Sequence, residues 1–170
     1  MKNHFVVASL VALCAFPAAS FARVWLGGDV GVTGGALAGT SPVGIYGGLS
    51  TRSFPVGLEL GYQFLSANPA HLGMFTASAL YRAPLPRVRG LHFLARLGLA
   101  DIRGEQNPPN VSFIRNSLRP IVGAGVSYRV MRRWDVRGEY DVIIDPRTLG
   151  GPAQNADELL VGMTYQFATR

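Results

Sequence analysis

Apolar residues recur at every second position over much of this chain. In Val56-Gly-Leu58-Glu-Leu60-Gly-Tyr62-Gln-Phe64 every even position is apolar, while the odd positions hold Gly57, Glu59, Gly61 and Gln63. Successive side chains of a strand point to opposite faces, so this period of two predicts a β-strand with one apolar face and one small or polar face. The same pattern runs through Leu159, Val161, Met163, Tyr165 and Phe167, through Trp134 to Ile144, and through Val122 to Val130. Four weaker runs follow it over Val24–Thr33, Pro42–Ser50, Phe75–Arg82 and Leu91–Ile102, with Leu80, Leu94, Ile102, Trp25 and Tyr46 as apolar residues on the polar face.

Eight strands of about ten residues, separated by turn-formers, predict an all-β chain. Short connections are expected near Thr51–Pro55, Ala83–Gly90 and Met131–Arg133. On the opposite end the expected loops are Gly34–Ser41, Ser66–Leu72, Arg103–Ser117 and Pro146–Ala156. The expected architecture is an eight-stranded antiparallel up-and-down β-barrel, with its longest loops on one side as membrane barrels have them.

Alternation alone does not say which face meets solvent. A soluble barrel would carry abundant Lys and Glu outside, whereas the polar face here is Gly, Ser and Thr with sparse charges. Aromatics sit on the apolar face near strand ends, as interfacial girdles require: Tyr62, Phe64, Phe75, Tyr81, Phe93, Tyr128, Trp134, Tyr140, Tyr165 and Phe167. A transmembrane barrel is therefore expected. It also accounts for a mean hydropathy of +0.21 with charges dispersed throughout. The uncharged stretch Val30–Thr51 is no helical span, since its seven glycines and Pro42 cost about 1 and about 3 kcal/mol each in a helix.

The start of the chain specifies a compartment. Lys2, the apolar run Phe5–Ala18 and small residues at Ser20 and Ala22 predict a signal peptide over 1–22, cleaved before Arg23, and a barrel domain over 23–170. About 14 apolar residues fall short of the ~20 that span a bilayer. The one cysteine, Cys14, lies in that segment, so disulfide and zinc-thiolate frameworks are not expected.

In the strand bodies, the polar face carries Asp29, Glu59, Glu139 and Asp141 against Arg82, Arg96, Arg129 and Arg137. Eight strands leave a lumen just wide enough for side chains, and unpaired buried charge costs several kcal/mol. A lumen salt-bridge network is expected, near neutral and centred on Glu59, Arg96, Arg137 and Glu139. It would act as a stiffening plug, the alternative being a narrow ion path.

Pro120-Ile-Val-Gly-Ala-Gly-Val-Ser-Tyr-Arg129, Trp134-Asp-Val-Arg-Gly-Glu-Tyr140 and Leu160-Val-Gly-Met-Thr-Tyr-Gln-Phe167 resemble the closing strands of small outer-membrane barrels of the OmpA/OmpX type. The resemblance implies a Gram-negative outer-membrane location and insertion by the barrel-assembly machinery, which would read the final strand ending at Phe167. Such chains usually end on that aromatic, whereas Ala168-Thr169-Arg170 follow here.

Some barrels of this size are enzymes on lipid A. A deacylase needs a serine with a histidine base in reach, and neither His71 near Ser66 nor His92 stands in a His-x-Ser-Asn arrangement. The expected role is non-enzymatic, structural or surface-interacting (adhesin- or resistance-like). A lipid A-modifying enzyme and a small low-conductance pore are the alternatives. No cofactor, metal or nucleic-acid partner is expected, and the chain is expected to be a monomer. Asp101, Glu105, Asp145, Asp157 and Glu158 read as solvated acids near the outer strand ends. Arg103, Arg115, Arg119 and Arg147 are candidate contacts for lipopolysaccharide phosphates.

Overall fold

The computed structural model describes residues 23–35, 37–51, 55–67, 70–105, 117–144 and 155–167. Eight strands follow one another: β1 (Arg23–Gly35), β2 (Ser41–Ser50), β3 (Val56–Ala67), β4 (Ala70–Pro84), β5 (Leu91–Glu105), β6 (Ser117–Met131), β7 (Trp134–Ile143) and β8 (Ala156–Phe167). Each pairs antiparallel with its sequence neighbour, and β8 closes on β1 through twelve residue pairs from Val24↔Phe167 to Gly35↔Ala156. Closure leaves no unpaired edge, which is what allows a sheet to sit in hydrocarbon.

Alternation explains where each residue goes. Leu26, Val30, Ile45, Leu58, Phe64, Leu97, Val126, Leu159 and Val161 stand exposed on the outside. Their chain neighbours Glu59, Gln63, Arg96, Ser127 and Leu160 are buried in the lumen. Aromatics cluster toward the rims: Trp134–Tyr165 and Tyr165–Phe167 ring centroids lie 5.1 and 5.0 Å apart at the end that holds Arg23 and Phe167, and Tyr62–Phe64 4.9 Å apart toward the other.

Arg23 and Phe167 share their end with the β2–β3, β4–β5 and β6–β7 connections, and β6–β7 spans only two residues between Met131 and Trp134. Outer-membrane barrels carry their longer loops outside, and the two longest connections, residues 106–116 and 144–155, both join strands at the opposite end, which assigns this end to the periplasm. The β4–β5 turn closes through Leu85 N–H donating to Leu91 O at 2.9 Å and ends on Gly90, whose φ of 86° favours a residue without a side chain.

Several strands run further outward than their alternation suggests. The expected loop Ser66–Leu72 is mostly strand, with Ser66 opposite His71 and Ala67 opposite Ala70. The reason is visible in the lumen. Toward the outer end its wall becomes apolar, with Leu37, Leu65, Leu72, Met74, Ala100, Ile102, Ile121, Ile143 and Ala156 packed into one buried cluster. Where both faces of a strand are apolar, the contrast that marks alternation disappears. Leu80, Leu94, Ile102 and Tyr46 are likewise buried inside the barrel, so the lumen is not filled by polar and small residues alone.

Candidate functional site

The centre of the lumen is a charge network built from three strands. Glu59 of β3 receives Arg96 Nη2 of β5 at 2.5 Å and Arg137 of β7 through Nη1 at 2.6 Å and Nη2 at 2.9 Å. Arg137 Nη2 also donates to Glu139 at 2.6 Å, and Arg96 reaches Glu139 at 3.1 Å and Asp141 at 2.7 Å. Glu59, Arg96, Arg137, Glu139 and Asp141 are all at least nine-tenths buried, so every charge meets its counter-charge away from solvent.

Two aromatics brace this network. Trp25 donates its indole N–H to Glu59 Oε2 at 3.0 Å. The Arg137 guanidinium lies 4.7 Å above the Tyr46 ring, whose hydroxyl pairs with Thr164 at 2.7 Å. Glycines make the room: a Cβ on Gly27 would lie 2.5 Å from the Tyr46 ring, one on Gly125 2.6 Å from Glu139 Cγ, and one on Gly48 would overlap the Trp25 indole.

Closer to Arg23 and Phe167 a second group forms. Asp135, fully buried, is held by Arg82 and by Arg129 Nε at 3.1 Å, and takes a further bond from the Gln166 amide. His92 Nδ1 stands 3.4 Å from Arg82 Nη2. A cavity of about 270 Å³ opens from this end, lined by Arg23, Trp25, Arg82, Ser127 and Asp135, and reaches Arg137.

On the outer side of the network lies an acidic layer. Asp141 and Glu158 face each other directly across β7 and β8, and both are fully buried. Asp29 and Gln63 stand beside them, opposite each other across Gly44 of β2. With Asp135 and Glu158 counted, the described lumen holds six carboxylates against Arg82, Arg96, Arg129 and Arg137, with Arg119 near the outer mouth. Arg23, which lines the cavity beside Arg82, and Arg119 bring the arginines to six, so the charges of the described lumen balance in number while acids gather on the outer side of the network. Glu158 in particular is no solvated loop acid. Its place at the outer strand end suggests solvation, yet its parity with Leu160 and Gly162 turns it inward.

Of the four candidate lipopolysaccharide arginines, two lie among the described residues, and they point to opposite faces of the barrel wall. Arg103 is exposed on the outside of β5 and pairs with Asp101 through Nη2 at 2.6 Å. Arg119 stands opposite Ala100, which is fully buried, so its register turns it toward the lumen rather than the membrane. Arg115, Arg147 and Asp145 lie outside the described residues, as do the side chain of Glu105 and the expected signal peptide. Asp157 and Glu158 point to opposite faces. Among the described residues no three His, Cys, Asp or Glu side chains converge as a metal site.

An apolar exterior with aromatic rims, wrapped around a lumen closed by paired charges and an apolar cap, defines a transmembrane β-barrel of the filled, eight-stranded kind. Residues 5–167 match the profile of the outer membrane protein beta-barrel domain family, and the chain belongs to that family. No curated protein matches it significantly.

Solved structures share the fold at low identity. Neisserial surface protein A is 18% identical with a TM-score of 0.67, over 85% of this chain and 96% of that one. The N-terminal barrel of Pseudomonas aeruginosa OprF is 17% identical with a TM-score of 0.66, over 87% and 99%. The outer membrane enzyme PagL is 10% identical with a TM-score of 0.50, over 83% and 98%. A surface protein and an enzyme on one fold mean that the fold does not decide the function.

Proposed function

We propose that this protein is a non-enzymatic integral outer-membrane barrel whose task lies on its surface: a structural or surface-interaction role carried by the outer loops. The observation that carries the reading is the closed lumen. The layer of Glu59, Arg96, Arg137, Glu139 and Asp141 fills the middle, and the cluster around Met74, Ile102, Ile121 and Ile143 fills the outer end. Among the described residues both layers consist of buried side chains, which weighs against a conducting path.

His92, the one histidine side chain described, stands opposite Ser127 across β5 and β6, yet its Nδ1 lies 3.4 Å from Arg82 Nη2 and no hydrogen bond joins its ring to the Ser127 hydroxyl, which weighs against acyl transfer at that residue. Export would use the 1–22 segment, and assembly would use the final strand ending at Phe167. The test replaces residues 106–116 by a short Gly/Ser linker. Surface binding to lipopolysaccharide or host cells is expected to fall while heat-modifiable gel migration of the barrel persists. Stable large conductance of the wild-type protein in a planar bilayer, or release of acyl chains from lipid A, would overturn the reading.

A further inference from the structure

The outside of the barrel is not uniformly covered. Where β8 closes on β1, an apolar groove of about 640 Å³ runs between Leu26, Val30, Trp134, Met163 and Tyr165. Its floor is Gly28, an outward-facing residue between Ile45 of β2 and Met163 of β8. A Cβ there would meet only the Gly44 carbonyl, at 3.2 Å, so the space above Gly28 is open. From Leu26 to Val30 the groove runs about 13 Å along the strand at ~3.3 Å per residue. That compares with the ~15 Å depth of one leaflet of hydrocarbon.

The periplasmic end of the groove is cationic. Trp134 and Tyr165 form its last walls, and Arg133 donates Nη1 to the Tyr165 hydroxyl at 3.0 Å, which anchors the guanidinium at the rim. Arg132 stands exposed beside it in the β6–β7 turn. The neighbouring carboxylate, Asp135, is turned into the lumen and already held by Arg82 and Arg129. Apolar groove and unopposed positive rim together have the shape and charge of one lipid molecule.

We infer that this seam is a seat for an anionic phospholipid of the periplasmic leaflet, with one acyl chain over Gly28 and its phosphate on Arg132 and Arg133. Arginine forks match phosphate oxygens, and the Tyr165 hydroxyl holds one fork in place. The seat would strengthen the closing β1–β8 seam by covering its one bare glycine row with an ordered chain.

Trp134 is a built-in reporter, since the chain has two tryptophans and the other, Trp25, is in the lumen. The Trp25→Phe protein, checked for heat-modifiable migration, is reconstituted in phosphatidylcholine bilayers containing brominated phosphatidylglycerol or brominated phosphatidylcholine. Quenching of Trp134 against lipid fraction then reads relative occupancy. The anionic lipid is expected to be favoured at least about fivefold, the effect of roughly one arginine near a membrane surface. Arg132→Gln with Arg133→Gln should bring the ratio to one, and Gly28→Leu should do the same by filling the groove while leaving migration unchanged. Equal quenching by both lipids overturns the proposal, and so does a preference that survives either variant.

Discussion

Charge within the lumen divides by residue into two opposite cases. Arg137 bridges Glu59 and Glu139 in full burial, and removing one member of such a group strands its partners. Arg137→Met is expected to destabilise the lipid-reconstituted barrel by about 3–5 kcal/mol, read from its urea midpoint. Glu59→Gln should cost less than that, because Arg96 and Arg137 keep Glu139 and Asp141. Glu158 stands the other way. It is fully buried opposite Asp141 with Asp29 nearby, so like charges crowd it. Glu158→Gln is expected to stabilise by about 1 kcal/mol, and a loss of stability would show that this carboxylate is paired after all. Part of this was legible in the chain: period two alone put Glu59, Arg96, Arg137 and Glu139 on one face of their strands. The contacts between them were not, because partners 37 and 78 residues apart meet only through barrel register.

Strands carry two chemistries at once, and the lipid face is the more demanding one. Leu97 is 64% exposed at the middle of β5, between Ala79 and Val122. Leu97→Arg should lower stability by about 2–4 kcal/mol in bilayers, whereas Val88→Arg, in the β4–β5 turn, should change it little. Similar costs at both positions would contradict the assignment of the outer face. The inner face fails differently. Gly27→Val would drive its side chain into the Tyr46 ring and should destabilise by about 1–3 kcal/mol through overpacking. Strand ends were less legible than strand cores. β3 and β4 run to Ala67 and from Ala70 because inward Leu65, Leu72 and Met74 belong to the apolar cap, a role that leaves no polar–apolar contrast to read.

For the molecule as a whole, closure is redundant. The ionic layer and the apolar cap each block the lumen at a different height. Loss of one layer, in Arg137→Met or in Ile102→Ser with Met74→Ser, should leave a planar bilayer silent. The triple variant should give small, unsteady conductance. Conductance in either variant would show that the layer left in place does not seal the barrel by itself, against redundancy.

Period two, the rim aromatics and the charged lumen face were determined by sequence, because a strand's side chains alternate regardless of what they later touch. The number of strands and the transmembrane setting follow from that alternation and from the small, weakly charged polar face. What only the tertiary structure decided is height and partnership. Shear and register set which lumen residues stand level, so Glu59 meets Arg137, Glu158 meets Asp141, Arg119 turns away from the membrane, and Gly28 opens a groove at the seam. Those are properties of a closed sheet, and no single strand contains them.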